Sequence, residues 1–131
     1  MGTRNIPIAE AGPTVADVML RDPRTVGPDT TVGEARAQFE NPRVRLLLVA
    51  DGDRFLGAVA RESLEDAPAD EAPLGPVAAR DGLRVAPGDP VSRAMDEIAG
   101  RGVDRIPVVE GDAIVGLICF NGKHGHFCVD G

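Results

Sequence analysis

Apolar and polar positions along this chain run through the same series of patterns twice. In the first pass Val32, Ala35 and Phe39 recur at helical spacing, and two apolar runs, Leu46–Val49 and Phe55–Val59, then flank Asp51-Gly-Asp53. In the second pass the stripe Val91, Ala94, Met95 and Ile98 precedes Ile106–Val109 and Ile114–Ile118 around Gly111-Asp112. Apolar positions three and four apart predict one amphipathic helix per pass, each lying on a sheet. Short apolar runs around Asp-Gly or Gly-Asp predict hairpins, because such turns need a positive φ that glycine adopts freely. With Thr25-Val26 and Arg84-Val85 as extended lead-ins, each pass reads β-α-β-β.

The two passes are copies. Displacing the sequence by 59 positions lays Val18–Leu64 on Val77–Lys123 without a gap. Among the identities are Val26/Val85, Pro28/Pro87, Val32/Val91, Ala35/Ala94, Val49/Val108, Gly52/Gly111 and Gly57/Gly116, the turn and core positions that a shared backbone retains. At 131 residues, two half-size units are each too small for a good core, so the repeats are expected to pack on each other with pseudo-two-fold symmetry. The expected fold is α/β (α+β), divided into an N-terminal tail (1–13), a first repeat (14–66), an acidic Pro/Ala-rich linker (67–73), a second repeat (74–122) and a Cys/His tail (123–131). The first tail docks or frays. Thr30 or Thr31 caps the first helix, Thr31 and Glu34 having capping-box spacing, and Asp89 before Pro90 is the expected cap of the second. Phe39, Phe55 and Met95 read as core.

Charge and composition narrow the function. A formal net charge of -7, with no long Lys/Arg cluster, argues against nucleic acid as a partner. No apolar stretch approaches the roughly 20 residues that span a bilayer, and the first residues lack the apolar centre of a signal peptide, so a cytoplasmic protein without a membrane partner is expected. Both cysteines fall in the last thirteen residues, so no disulfide framework staples the fold. No Ser/His/Asp set, P-loop, HExxH or CxxC occurs, and the chain is expected not to be an enzyme.

The order in which the motifs recur resembles a tandem pair of CBS domains, the Bateman module. The resemblance rests on Val26-Gly-Pro28 with Val32, Leu46–Val49 and Gly57-Ala-Val59, then on Val85-Ala-Pro87 with Val91, Arg105-Ile-Pro-Val-Val109 and Gly116-Leu-Ile118, and covers roughly residues 15–120. It implies a small regulatory or interaction module, homodimeric, whose ligand is unassigned. An adenine nucleotide (AMP, ATP or S-adenosylmethionine) in an inter-repeat cleft is the cofactor candidate it brings. Nucleotide-binding members usually follow the last strand with G-h-h-T-x-x-D, the hydroxyl meeting phosphate and the carboxylate the ribose. Here the Thr place holds Ala60 and Cys119, and the Asp place holds Ser63 and Gly122. A site that lacks an acceptor for the sugar hydroxyls loses much of its affinity. The candidate nucleotide-site residues are Thr25, Ala60, Arg61, Ser63, Arg105, Cys119 and Asn121, with Glu62 or Asn121 as imperfect substitutes for the acid. Arg61 and Arg105 otherwise read as solvated surface charges.

After Cys119 the chain departs from the repeat, continuing Phe-Asn-Gly-Lys-His-Gly-His-Phe-Cys-Val-Asp-Gly131. Its glycines oppose a helix. Asn121-Gly122 suits a type I′ turn, which would fold the tail back as a strand with Cys119 opposite His124. Cys119, His124, His126 and Cys128 are then candidate metal ligands. Residues four apart in a strand lie about 13 Å from each other, so His124 and Cys128 cannot share an ion unless the tail bends or a second chain contributes. A longer loop would set Cys119 opposite Cys128 and permit a disulfide. Plain packing is the other reading, with Cys119 a small buried hydrophobe and Phe120 and Phe127 anchoring the tail as an interface arm.

Overall fold

The structure, a computed structural model, describes residues 3–7, 14–21, 23–65, 69–78, 83–121 and 125–130, and of 3–7, 126 and 128–130 it describes the backbone alone. The elements run β1 (Thr3–Pro7), a 3-10 turn (Val15–Asp17), β2 (Leu20–Arg21), β3 (Thr25–Val26), α1 (Val32–Phe39), β4 (Leu46–Asp51), β5 (Arg54–Ala60), a second 3-10 turn (Arg61–Leu64), α2 (Gly75–Ala78), α3 (Val91–Arg101), β6 (Arg105–Glu110), β7 (Ala113–Asn121) and β8 (His126–Asp130). The class is mixed α+β, as the patterning predicts. The elements gather into two compact units, one of Arg24–Leu83 and one of Met1–Pro23 with Arg84–Gly131.

In the unit Arg24–Leu83, Thr31 starts α1 as the sequence indicates. Its Oγ1 accepts from the Glu34 N–H at 3.1 Å, and the Glu34 carboxylate accepts from the Thr31 N–H at 3.1 Å, so two amides without helical partners are satisfied reciprocally. The next orphan donors are met from outside the helix. Val32 and Gly33 donate to the carbonyls of Ala72 and Asp70, each at 2.9 Å, and Arg36 pairs with the Asp70 carboxylate. The described part of the expected linker is therefore strapped to α1, and Leu74 beside it is fully buried with Val32, Ala35, Phe39, Val49 and Val59. β3 runs parallel to β4 (Thr25↔Leu48), and β4 and β5 form the predicted hairpin, Asp51 opposite Arg54 around Gly52 at φ 62. Val49 opposes Gly57 while Ala50 opposes Phe55, leaving Leu56 as a bulge.

The second unit repeats this hairpin down to its irregularity. Val108 opposes Gly116 and Val109 opposes Ile114, so Val115 bulges as Leu56 does, and Gly111 turns at φ 62. β2 pairs with β7 through Leu20↔Leu117. Two expectations need correction. Asp89 does not cap α3: its carboxylate accepts from the Ala86 N–H at 2.8 Å and lies 3.4 Å from Arg93, closing the turn before the helix, which begins after Pro90 without a side-chain cap. Met95 is not core either, because α3 buries only Ala94 and leaves Val91, Met95 and Ile98 half-exposed. The helix ends as expected of a glycine C-cap, with Gly102 at φ 67 and its N–H bonded to the Ile98 carbonyl.

Both tails enter this unit. β1 docks antiparallel along β8 from Thr3↔Asp130 to Pro7↔His126, and β8 pairs with β7 through Phe120↔Phe127 and Asn121↔His126. The loop is thus longer than the type I′ turn predicted at Asn121-Gly122. Gly125, at φ 67, donates to the Asn121 carbonyl at 2.8 Å and closes it. A two-residue turn would set Phe120 opposite position 123. The observed register instead brings Phe120 and Phe127 to a ring separation of 5.1 Å, with Phe127 fully buried, and burial of that ring pair outweighs the local turn preference.

Candidate functional site

In the unit Arg24–Leu83 the candidate residues do not converge. Thr25 is exposed on β3 beside Leu48, whereas Ala60 ends β5 opposite Leu46. β3 and β5 flank β4 on either side, which separates them by about 10 Å. Ala60 leads straight into the 3-10 turn, and Ser63, at the place of the missing acid, turns back so that its Oγ accepts from the Ala60 N–H at 3.1 Å. That oxygen serves the turn as a cap would.

Arg61 is exposed, as a surface charge would be, but its guanidinium is not without partners. Its guanidinium donates to the Val44 carbonyl at 3.0 Å and the Asn41 carbonyl at 3.4 Å and lies 5.5 Å over the Phe39 ring, pinning the segment that joins α1 to β4. An open groove of about 410 Å³ lies beside it, lined by Arg36, Phe39, Glu40, Arg61, Leu64 and Glu65, and a smaller one of about 210 Å³ by Pro42, Val44, Arg45, Arg61 and Glu62. Neither groove includes Thr25, Ala60 or Ser63. Sequence reasoning missed Arg36 and Glu40. Their i,i+4 spacing on the polar side of α1 was the available signal, but it marks a solvated helix face as readily as a groove wall.

In the other unit Arg105 and Cys119 stand opposite each other in the β6–β7 register. Arg105 is three-quarters buried and local in its bonding, 3.4 Å from the Asp104 carboxylate and donating to the Asp104 carbonyl at 3.1 Å. Cys119 is 6% exposed. Asn121 lies in the strand, opposite His126. Where G-h-h-T-x-x-D members continue, β7 here pairs with β8, and among the described residues after β7 no helix begins whose amides could meet a phosphate. Of the metal candidates, His124 lies outside the described residues, as do the side chains of His126 and Cys128. Cys119 is not opposite His124, as expected from the sequence, because the Phe120↔Phe127 register displaces the pairing. Among the described residues no group of three His, Cys, Asp or Glu could hold an ion.

Comparison with known proteins places these features. The CBS-domain family pattern matches residues 15–70 and 76–120. An A-adding tRNA nucleotidyltransferase of Geobacter sulfurreducens is 32% identical over 108 residues, 80% of this chain but only 12% of that enzyme's length. Among solved structures, a Vibrio cholerae protein ascribed to acetoin utilization (AcuB) superposes with a TM-score of 0.68 at 28% identity, covering 81% of this chain and 83% of that one. CBSX2 in complex with AMP gives a TM-score of 0.68 at 21% identity over 82% and 90% of the two chains. Hypoxic Response Protein I, with two coordinated zinc ions, gives 0.70 at 19% identity over 81% and 92%.

Proposed function

From the premise that this chain belongs to the CBS-domain family and carries its two copies as a tandem pair, we propose that it regulates by contact with other chains rather than by catalysis, and that it holds adenylates only weakly. The observation that carries this reading is the state of the first repeat's ribose position. Ser63 replaces the acid and its oxygen already accepts from the Ala60 N–H, while the adjacent cation, Arg61, is engaged with Asn41, Val44 and Phe39. Ribose hydroxyls entering there would give up their bonds to water without a carboxylate to receive them. Homodimerisation completes the reading. It is supported by α3, whose half-exposed Val91, Met95 and Ile98 form an apolar stripe on a helix that buries Ala94 alone.

Isothermal titration of the purified chain with AMP, ATP and S-adenosylmethionine tests the first part. No saturable heat is expected up to millimolar ligand. Micromolar binding of any of them would overturn it and favour the second reading, an adenylate sensor, for which AMP in the CBSX2 structure and the arginine-lined grooves beside Arg61 speak. Sedimentation of wild type against Met95→Glu tests the dimer: a change from dimer to monomer supports it, and a monomeric wild type overturns it.

A further inference from the structure

β1 is the outermost strand beside β8, and beyond it no further strand lies among the described residues. An edge of this kind presents unpaired N–H and C=O groups that another strand can join. Which residues present them follows from the phase of the backbone ladder. The Phe120 N–H donates to the Asp104 carbonyl at 2.9 Å, on the side of β6. Phe120 therefore turns its main-chain groups away from β8, and Phe120↔Phe127 is a non-hydrogen-bonded pair. Phe127 in turn aims its own groups at β1, which makes Ile6↔Phe127 a hydrogen-bonded pair. Alternation then puts the main-chain groups of Arg4 and Ile6 on the β8 side and those of Thr3, Asn5 and Pro7 on the outer edge. Pro7 agrees with this phase, because a residue without an N–H cannot complete a hydrogen-bonded pair with His126.

The outer edge thus offers the N–H groups of Thr3 and Asn5 as donors and the carbonyls of Thr3, Asn5 and Pro7 as acceptors. A second β1 laid antiparallel, with Asn5 opposite Asn5, matches this inventory. The two Asn5 residues exchange a pair of bonds, and each Thr3 N–H meets the Pro7 carbonyl of the other copy, so every outward donor is used. Only the Thr3 carbonyls, opposite the proline nitrogens at the two ends of the ladder, are left over. Sliding the copies by two residues one way sets Arg4 opposite Arg4, like charges in direct register, and sliding them the other way halves the bonds.

The choice of occupant turns on conformational entropy. A free extended segment has to fix its whole backbone to form this ladder, and the freedom it loses outweighs what a few main-chain bonds return. The β1 of a second copy is already held in extended form by its own β8, from Thr3↔Asp130 to Pro7↔His126, so it enters the ladder without that loss. We propose that β1 is a self-association edge, at which the β1 strands of two copies pair antiparallel about Asn5 and join their β7–β8–β1 ladders into one sheet. Both copies bring the same edge, so the contact closes on itself and does not propagate. It is separate from the α3 contact and small, so it is populated in concentrated protein and leaves the α3 dimer at low micromolar chain unaffected.

The test is residue-resolved amide exchange of the full chain by NMR, from low micromolar to millimolar protein, with sedimentation over the same range. Arg4 and Ile6, which bond to β8, should be protected throughout. Thr3 and Asn5 should exchange freely in dilute protein and slow by roughly tenfold or more in concentrated protein. Asn5→Pro removes an outward donor and no bond to β8. It should abolish the slowing at Thr3 and hold the sedimenting mass of concentrated protein at its dilute value. If Arg4 and Ile6 lose protection in that variant, Thr3→Pro, which removes the other outward donor, takes its place. Met95→Glu should leave the slowing intact, and a synthetic Thr3–Pro7 peptide at millimolar concentration should not produce it. Thr3 and Asn5 amides that exchange freely at every concentration, or a proline variant that associates as wild type does, would overturn the proposal. So would slowing caused by the free peptide, which would make the edge a site for any extended segment, or slowing lost in Met95→Glu, which would assign it to the α3 dimer.

Discussion

Replacing Gly57 with alanine should cost more than any other single methyl group added at a turn or strand glycine among the described residues. Gly57 sits at φ 150, where an L side chain is strained, and a Cβ built on it would lie 2.0 Å from the Ala78 carbonyl oxygen and 2.5 Å from its carbon. These are backbone atoms and cannot rotate aside. Either β5 or α2 must shift by more than 1 Å to restore van der Waals contact at about 3.4 Å. The shift is resisted, since Ala78 donates to the Leu74 carbonyl at 2.9 Å and Leu74 to the Thr30 carbonyl at 2.7 Å, which ties α2 to the start of α1. Backbone strain of about 1–3 kcal/mol and overpacking of about 1–3 kcal/mol together give roughly 2–6 kcal/mol, a large part of an ordinary domain's stability. Two controls separate the terms. Gly52→Ala has positive φ (62) but nothing within 4 Å of the new carbon, so only the left-handed penalty of about 1–2 kcal/mol applies. Gly116→Ala, the same site in the other repeat, has no positive-φ penalty but meets Met19 Sδ at 2.5 Å and the Leu20 carbonyl at 2.8 Å. The thioether can move but the Leu20 carbonyl is backbone, so β2 must also give by about 0.6 Å to reach 3.4 Å, and the cost should be about 1–3 kcal/mol. Urea unfolding followed by circular dichroism gives the three values from the midpoints, provided the slopes agree. A Gly57→Ala cost no larger than that of Gly52→Ala would refute the steric argument.

Arg61→Ala should lower stability by about 1 kcal/mol through loss of the Phe39 contact and the carbonyl bonds, and Arg61→Lys should recover only part of it; thermal melts in moderate salt check this. An unchanged midpoint would mean that these contacts of an exposed arginine add nothing to stability. Phe127→Ala should cost about 3–5 kcal/mol and, in hydrogen exchange, deprotect the amides of β1 and β8 well before those of β6. Uniform deprotection would mean that the tail pairing is not held by the ring pair.

Most of the fold was legible because its signals are local. The turn glycines and apolar alternation mark both hairpins, and Thr31 with Glu34 marks the helix start, each within a few residues. What escaped depends on which of several partners a group takes, near or far along the chain. The Ala/Pro/Asp-rich segment reads as solvated linker, yet its carbonyls of Asp70 and Ala72 complete α1, and a backbone carbonyl leaves no mark in a sequence. Asp89 before Pro90 reads as a helix cap, but the preceding turn offers it the Ala86 amide. At the candidate site the residue types were visible and the roles were not: that Arg61 lies over Phe39, 22 positions earlier, follows only from the fold. The tail register turned on Phe120 and Phe127, whose attraction was legible only as a general tendency to anchor.

The pairing of β1 with β8 also has a mechanical meaning. Thr3 stands opposite Asp130, so both strands leave the ladder at the same end, and tension applied across them loads the rungs in series rather than all at once. Such a zipper yields at a far lower force than strands pulled in shear, where every hydrogen bond must fail together. The third rung is Asn5↔Cys128, ahead of the buried Phe127. A pull on whatever is joined to these strands would therefore reach the cysteine before it disturbed the core.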